Sequence, residues 1–417
     1  MKHNHNNARS AGLQLKPVGF EFTHPTTTTV CVAGTFNDWH PATKAMHPSG
    51  NGHWRAACKL LLLCLFFTGA CARGGPIVIG YTNCLAVTNY SQSLMNQIGQ
   101  LNWFFAHASV GDCMVAGIAS LHGRNTNYYQ LKSVPEDGIP PATTQTGVIY
   151  EYMRGNPGWQ AKFDSFQTYV TNGWRFPMVN MAMNKLCFID PTASLSYYLN
   201  SMLVLESAYP ETVFVYTTMP LTTTNSSWDN YLNYNNYLRN VYNDGLRAWV
   251  RTNNRVLFDI ADIEAHDTNG TLCTFTYSNR VCQQQCASYS SDGGHPNAPY
   301  AEQMLATGFY ALAGTLFTVD RDGDGVSDGQ ELIAGTIPTD SRSVFKFTTY
   351  TTVTPGAFVL QWNSNSNRFY TLQRGTLIAP VSYTNLLVAA PATPPMNTYT
   401  DLPPKNGPFF YRVSVQQ

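Results

Sequence analysis

The chain has 417 residues, a formal net charge of zero and only 12% charged residues. That length exceeds the ~100–200 residues of one ordinary domain. The charge balance excludes an electrostatic case for a nucleic-acid partner or an acidic membrane surface. Ten cysteines in so long a chain do not make a disulfide-dense miniprotein.

Residues 1–12 are polar, and residues 15–57 read as β. Val18–Phe22 alternates, Thr29–Ala33 is β-branched, and Gly34 and Asn37-Asp38 supply turns. The pattern VCVAGTFNDWHP…GHW resembles the glycogen-binding early-set β-sandwich, carbohydrate-binding module family 48. In that family aromatic residues stack on α-glucan, and the resemblance implies that role for Trp39 and Trp54. It covers about half of such a domain, so 1–57 is read as a partial β segment. Residues 58–75 then carry a basic flank at Lys59, an apolar core Leu60–Phe67 and the sequence Ala70-Cys71-Ala72. This is the pattern of a signal peptide, too short for the ~20 apolar residues of a bilayer span. Thr68-Gly69-Ala70-Cys71 is an imperfect lipobox, and a strand continuing the β segment is the alternative. The expectation is a secreted, cell-surface or periplasmic protein with no transmembrane span and with 1–57 as an upstream extension. Cleavage after Ala72 leaves Cys84, Cys113, Cys187, Cys273, Cys282 and Cys286, an even set that fits disulfides of open pairing.

Residues 76–318 alternate strand-like and helix-like segments. The strand candidates are Leu101–Ala106, Pro177–Met183, Thr212–Thr217 and Arg255–Ile260. The helix candidates are Val110–Leu121, Trp159–Val170, Thr192–Ser207, Trp228–Arg251 and Ala298–Leu316. The fold class is therefore α/β, a three-layer parallel sheet with helices on both faces. Ligands of such sheets bind beyond the carboxyl ends of the strands. Ser109, in FAHASVG, lies at such an end, just before a helix. It reads either as a helix N-cap or as a nucleophile whose helix start favours developing negative charge. A serine nucleophile needs a base, and the base needs an orienting carboxylate. Asp292 and His295, in SSDGGHPNAPY ahead of the last helix, supply that pair on a tight turn. His107 reads as a structural hydrogen-bonding residue, and Asp262, Glu264 and His266 as a fallback acid or metal cluster.

An Asp three residues before a His, ahead of the last helix, resembles the SGNH (GDSL-type) esterase superfamily. FAHASVGDCMVAGI resembles the F-x-H-x-S-V-G variant of its nucleophile block, and TTMPLT and LFDIADIEA are similar to that family as well. The resemblance spans about residues 100–317 and implies a flavodoxin-like sheet. By it Ser109 is the nucleophile, His295 the general base and Asp292 its partner, with no cofactor for catalysis. It further implies an oxyanion hole at Gly155 and Asn156 in MRGNPGW and at Asn184 after the Pro177–Met183 strand. The usual G-x-N-D is replaced by MNKLCFID, which brings in Lys185 and Asp190. An α/β-hydrolase is the other serine-hydrolase reading, because His107-x-Ser109-x-Gly111 is one residue from G-x-S-x-G. Its acid and His are normally far apart in sequence, unlike Asp292 and His295.

Residues 319–342 place Asp320, Asp322, Asp324, Gly325, Val326, Asp328 and Glu331 at positions 1, 3, 5, 6, 7, 9 and 12 of a calcium loop. The stretch resembles the calcium-binding repeats related to thrombospondin type 3 and the EF-hand loop. The expected cofactor is one structural Ca²⁺ that stiffens a linker. Residues 343–417, rich in Thr, Val and Tyr, read as a β-sandwich in which Trp362 and Tyr370 are core aromatics. The function expected is that of a secreted serine hydrolase cleaving an oxygen ester, with acylated carbohydrate as the substrate suggested by the flanking β modules. The alternative is a non-catalytic, calcium-stiffened extracellular carbohydrate-binding protein on a degenerate SGNH core.

Overall fold

The computed structural model describes residues 16–23, 47–50, 53–60, 72–135, 145–172, 179–224, 226–229, 233–354, 357–376, 383–404 and 409–417. The chain divides into two compact units, residues 1–70 with 375–382, and residues 71–374 with 383–417. In the first unit, β1 (Lys16–Thr23), β2 (His47–Gly50) and β3 (His53–Leu60) form an antiparallel sheet of order β1-β3-β2. Trp54 lies in β3, in register with Phe22. Trp39 and residues 61–71 of the signal-like segment lie outside the described residues.

The second unit opens with β4 (Ala72–Arg73), β5 (Ile77–Ile79), α1 (Tyr81–Ala86), α2 (Gln92–Ile98), β6 (Trp103–His107) and α3 (Val110–Arg124). It continues with β7 (Lys132–Pro135), β8 (Val148–Met153), α4 (Trp159–Asn172), β9 (Met181–Asn184), α5 (Leu195–Ala208) and β10 (Val213–Thr217). Next come α6 (Tyr234–Thr252), β11 (Val256–Phe258), α7 (Ile260–Glu264), the hairpin β12 (Thr274–Tyr277) and β13 (Arg280–Gln283), and α8 (Pro299–Leu316). The end of the unit holds β14 (Val319–Asp320), α9 (Asp328–Ala334), β15 (Phe347–Thr354), β16 (Ala357–Asn363), β17 (Phe369–Gly375), β18 (Tyr383–Pro391), β19 (Met396–Asp401) and β20 (Phe410–Gln416).

Seven strands form one sheet of order β5-β11-β10-β9-β6-β8-β7, and every pair in it is parallel. The strand period of two explains the layers. Along β6, Trp103 and Phe105 enter a core built with α1, α2, α3 and α8, while Phe104 and Ala106 enter a second core built with α4, α5 and α6. Burial on both faces makes such a strand read as a continuous apolar run. Taken from β8, the order β8-β6-β9-β10-β11 is the flavodoxin-like 2-1-3-4-5, and the chain's direction across the sheet reverses between β6 and β9. Ligands bind at that reversal, outside the carboxyl ends.

Several elements differ from the sequence expectation. The helix expected over Trp228–Arg251 starts at Tyr234, and Trp228 lies in a turn instead. Polar side chains there compete with helix formation: Ser226 Oγ accepts the Trp228 N–H, and Asp229 Oδ2 accepts the Asn236 N–H. Of the strand expected over Pro177–Met183, Met181–Met183 lie in β9 and Val179 and Asn180 precede it, while residues 177–178 lie outside the described residues; the Asn180 side chain accepts the N–H of Asn102. Among the described residues, one disulfide, Cys273–Cys286, is present, whereas Cys84, Cys113, Cys187 and Cys282 are buried thiols. Full pairing of the even set is thus corrected. Burial, which disfavours a thiolate, pushes Cys84 and Cys113 up to about 12.

The C-terminal strands make two three-stranded sheets, β15-β16-β19 and β18-β17-β20. Trp362 and Tyr370 are wholly buried between Phe345, Phe347, Tyr399 and Tyr411, so neither offers a sugar-binding face. Arg368 and Asn365 tie this module to α9 through the carbonyls of Leu332 and Gly335. Among the described residues no helix is long and apolar enough to cross a membrane.

Beneath the carboxyl end of the sheet, Glu264 is 1% exposed and accepts the Leu221 N–H at 2.7 Å. Burial pushes its carboxyl up to about 8, so it is protonated at neutral pH. A raised folded value means stability that is full below the unfolded value near 4.5 and is lost as pH rises through about 8. Glu264→Gln keeps the acceptor for Leu221 and removes this titration. Thermal melts from pH 5 to 9 should show the wild type losing ground steadily to the variant; parallel curves would contradict a neutral Glu264.

Candidate active site

Ser109 is the residue between β6 and α3, and its backbone is unusual. Its φ of 62° and ψ of −112° place a non-glycine residue in a sparsely populated region, a conformation costing ~1–3 kcal/mol and concentrated at functional sites. Three contacts hold it there. The Ser109 N–H donates to Asp112 Oδ2 at 3.1 Å, as in a capping box. Asp112 Oδ1 is 3.1 Å from Nδ1 of His107, which is wholly buried, and His107 Nε2 is 3.4 Å from Glu151 on β8. Gly111 completes the turn: a Cβ there would come within 2.4 Å of the His107 side chain. His107 therefore braces the Ser109 turn through Asp112 and stands apart from His295 and Asp292.

The pair itself comes from the turn before α8. The Ser109 hydroxyl donates to His295 Nε2 at 2.6 Å, and His295 Nδ1–H donates to Asp292 Oδ2 at 2.6 Å. Asp292 Oδ1 accepts the N–H groups of Gly294 and His295 and the hydroxyl of Ser290. Partial burial opposes the charged carboxylate, but the His295 N–H and imidazole, the Gly294 N–H and Ser290 outweigh it. Together they hold Asp292 well below the usual carboxylate range. Asp292 is thus ionised at neutral pH and oriented by its own turn. The two glycines matter because other chain segments press against that turn. A Cβ on Gly293 would lie 2.7 Å from Thr223 Oγ1, and one on Gly294 would lie 2.8 Å from Trp228 and 2.9 Å from Phe188.

The residues expected to form an oxyanion hole are placed differently. Gly155, with φ 73°, and Asn156 are exposed in the loop after β8. Asn184 ends β9 and is buried, but its Oδ1 accepts from Arg154 Nε at 3.1 Å and its Nδ2 donates to the Lys162 carbonyl at 3.3 Å. The Ser109 N–H, the third donor of such a hole, points to Asp112. Sequence reasoning missed Arg154. Its guanidinium joins Asn184, the Gly155 carbonyl and the Lys185 carbonyl, and its N–H bonds the His107 carbonyl. An arginine directly after a strand that borders the nucleophile strand was the available signal. Lys185 is buried with Nζ on the Leu186 carbonyl, and burial brings it down to about 8. Asp190 pairs with the buried Lys162 at 2.5 Å and accepts the Cys187 N–H at 2.9 Å. Cys187 Sγ lies 3.7 Å from Ser109 Oγ. Asp262 accepts the Tyr81 N–H, and His266 Nδ1 contacts the Asp262 carbonyl, so Asp262, Glu264 and His266 serve separate backbone groups.

The acidic loop lies elsewhere in the second unit. Among the described residues, the metal-capable grouping is Asp320, Asp322 and Asp324, with one ligand oxygen from each within 4.8 Å of the others. Asp320 accepts the N–H groups of Gly323 and Gly325, which wraps the loop, and Gly325 has φ 97°. Oδ2 of Asp322, Oδ2 of Asp324 and Oε2 of Glu331 are buried without a hydrogen-bond partner. Burial and the carboxylates of Asp322 and Asp324 push Glu331 up to about 8. Hard oxygens crowded in this way fit a divalent cation. Val326 lies in the same loop, with its N–H on Asp324. Both oxygens of Asp328 are engaged by Arg321.

No family model matches the chain, and no curated protein matches it. Among solved structures it is similar to a candidate acylhydrolase from Bacteroides fragilis, with 11% identity over 51% of this chain and 86% of that one and a TM-score of 0.33. It is also similar to a GDSL-like lipase from Bacteroides thetaiotaomicron, with 10% identity over 56% and 96% of the two chains and a TM-score of 0.33. Likeness at this level assigns no family, and the sheet order and the side-chain geometry stand on their own.

Proposed function

We propose that this protein is a serine hydrolase that cleaves an oxygen ester, with Ser109 as nucleophile, His295 as general base and acid, and Asp292 as its partner. The observation that carries the reading is the unbroken relay Ser109–His295–Asp292, with both links at 2.6 Å, at the carboxyl end of β6. Ser109 Oγ attacks the ester carbonyl while His295 Nε2 takes its proton. Ionised Asp292 stabilises the imidazolium that forms. His295 then gives the proton to the leaving alcohol oxygen, and the acyl group stays on Ser109. Water attacks next, again with His295 as base, and the carboxylic acid leaves. The positive end of α3 favours the charge that develops on the carbonyl oxygen.

Secretion and an acylated carbohydrate substrate belong to the same proposal. The Cys273–Cys286 disulfide supports an oxidising compartment. The carbohydrate preference rests on the flanking β modules, which is analogy. A second reading, a non-catalytic binding protein on the same core, is favoured by the occupied state of the Ser109 N–H and the Asn184 amide. For the acidic loop we propose one structural Ca²⁺ held by Asp320, Asp322, Asp324, the Val326 carbonyl and Glu331, linking the α/β core to the C-terminal strands.

Two experiments test these proposals. Hydrolysis of p-nitrophenyl acetate should fall roughly 10⁴-fold or more in kcat on Ser109→Ala. If the variant and the wild type hydrolyse the ester alike, the enzyme reading fails and the binding protein remains. For the loop, EGTA should lower the melting temperature by about 5 °C relative to saturating calcium. In Asp322→Asn, which keeps an acceptor for the Asp324 N–H, that shift should shrink. A wild-type melt indifferent to EGTA rules out the calcium site.

A further inference from the structure

Trp228 is 44% exposed and stands beside His295. The Trp228 and His295 rings are perpendicular, with centroids 5.6 Å apart. Phe188 flanks the imidazole at 5.2 Å and Trp228 at 5.5 Å, and it is buried. The histidine is therefore walled by two aromatic rings, one sealed and one facing solvent.

The exposed ring is not on a loose segment. The Thr223 N–H donates to the Gly293 carbonyl at 2.9 Å, and the Ser226 hydroxyl accepts the Trp228 N–H. Asp229 has a buried side chain, accepts the Asn236 N–H, and lies 3.6 Å from buried Arg239. Arg239 also donates to the Phe188 carbonyl at 2.7 Å and to the Thr222 hydroxyl at 2.8 Å. One buried guanidinium thus fixes both walls. Gly294 lets both rings close on the turn, since a Cβ there would strike each of them. The position of Trp228 against His295, with its backbone N–H held by Ser226, is what distinguishes it from other exposed apolar side chains. A fixed ring also binds with little loss of conformational entropy.

Reaction geometry says what meets it. In acyl transfer the histidine that takes the serine proton must deliver it to the leaving oxygen, so that oxygen comes within hydrogen-bond reach of His295 Nε2. The alcohol portion of the ester, not the acyl portion, therefore emerges on the His295 side of Ser109. Trp228 is the exposed surface on that side.

We propose that Trp228 is a specificity-determining residue, a stacking platform for the leaving alcohol, and that the alcohol it selects carries a flat-faced ring, namely the C–H face of a pyranoside. The proposal rests on the Ser109–His295–Asp292 reading. Its test compares two acetyl esters that share an acyl group, an O-acetylated methyl xylopyranoside and ethyl acetate, with phenyl acetate as a third arm. The wild type should prefer the pyranoside ester to ethyl acetate in kcat/KM. Trp228→Ala should reduce that preference by about tenfold, mainly through KM, and Trp228→Phe should restore most of it. A preference unchanged in Trp228→Ala, including an equal loss on both esters, overturns the platform. So does a wild type that shows no preference, or one that favours only the phenyl ester. Ser109→Ala run on the same esters separates the two ideas: if it retains activity, the triad reading fails whatever the ratios show.

Discussion

The backbone of Ser109 is the constraint on which the site depends. A strand that runs straight into a helix must turn sharply, and here the turn is taken by a single non-glycine residue at φ 62°. Its cost of ~1–3 kcal/mol is met only where the surroundings over-determine the conformation. The parallel sheet fixes β6 from both sides, and α3 is packed against α8 in the core below. Between them the Asp112 carboxylate caps the Ser109 N–H, and buried His107 holds Asp112 from behind. Glu151, two residues before the end of the adjoining strand β8, closes the chain on the other side of the imidazole. Two carboxylates thus flank one wholly buried imidazole. The same pairing lowers Glu151, with the His107 hydrogen bond as the main cause. An electrostatic chain thus runs from β8 through β6 to the first turn of α3, and Ser109 sits at its end.

The acid–base turn is fixed by different means. Asp292 satisfies its lone pairs on its own turn, so little beyond the local backbone is needed to keep it ionised. What the rest of the fold supplies is close approach. The segment after β10 and the segment after β9 press on Gly293 and Gly294, and this brings His295 within 2.6 Å of Ser109. Three loops, each following a parallel strand, meet there. That is the geometric consequence of a sheet whose order reverses between β6 and β9.

How much of this was legible in the sequence follows from the range of each interaction. The apolar runs of β6, β10 and β11 were readable because burial on both faces removes polar residues from a strand. Ser109 and the Asp292/His295 turn were readable as types and spacings, since the Asp292–His295 bond is local and the strand-to-helix junction marks the serine. The edge strands β5 and β7, and β8, were not, because they are short or carry mixed polar residues. The start of α6 was misread because the periodicity continues back to Trp228, whereas Ser226 and Asp229 hold that stretch in turns. The cysteines misled for a related reason: an even count says nothing about which thiols are buried in separate cores. Asn184 fell at the right strand end, but its partner Arg154 is 30 residues away and no local pattern announces it.

Arg154 alters the electrostatics that the spacing suggested. Its guanidinium hydrogen-bonds neutral acceptors, the side-chain oxygen of Asn184 and the carbonyls of Gly155 and Lys185. Burial lowers it to about 10, far enough above neutral pH that it stays charged. Lys162, by contrast, is matched by Asp190. The carboxyl ends of β8 and β9 therefore carry a cation whose charge is not hydrogen-bonded to a carboxylate, beside a helix N-terminus. That cation lies where the Asn184 amide and the Ser109 N–H are already hydrogen-bonded. In a partly buried site such fixed charges act more strongly than they would in water. The same arginine holds the Gly155 and Lys185 carbonyls, at the ends of the two strands that flank β6.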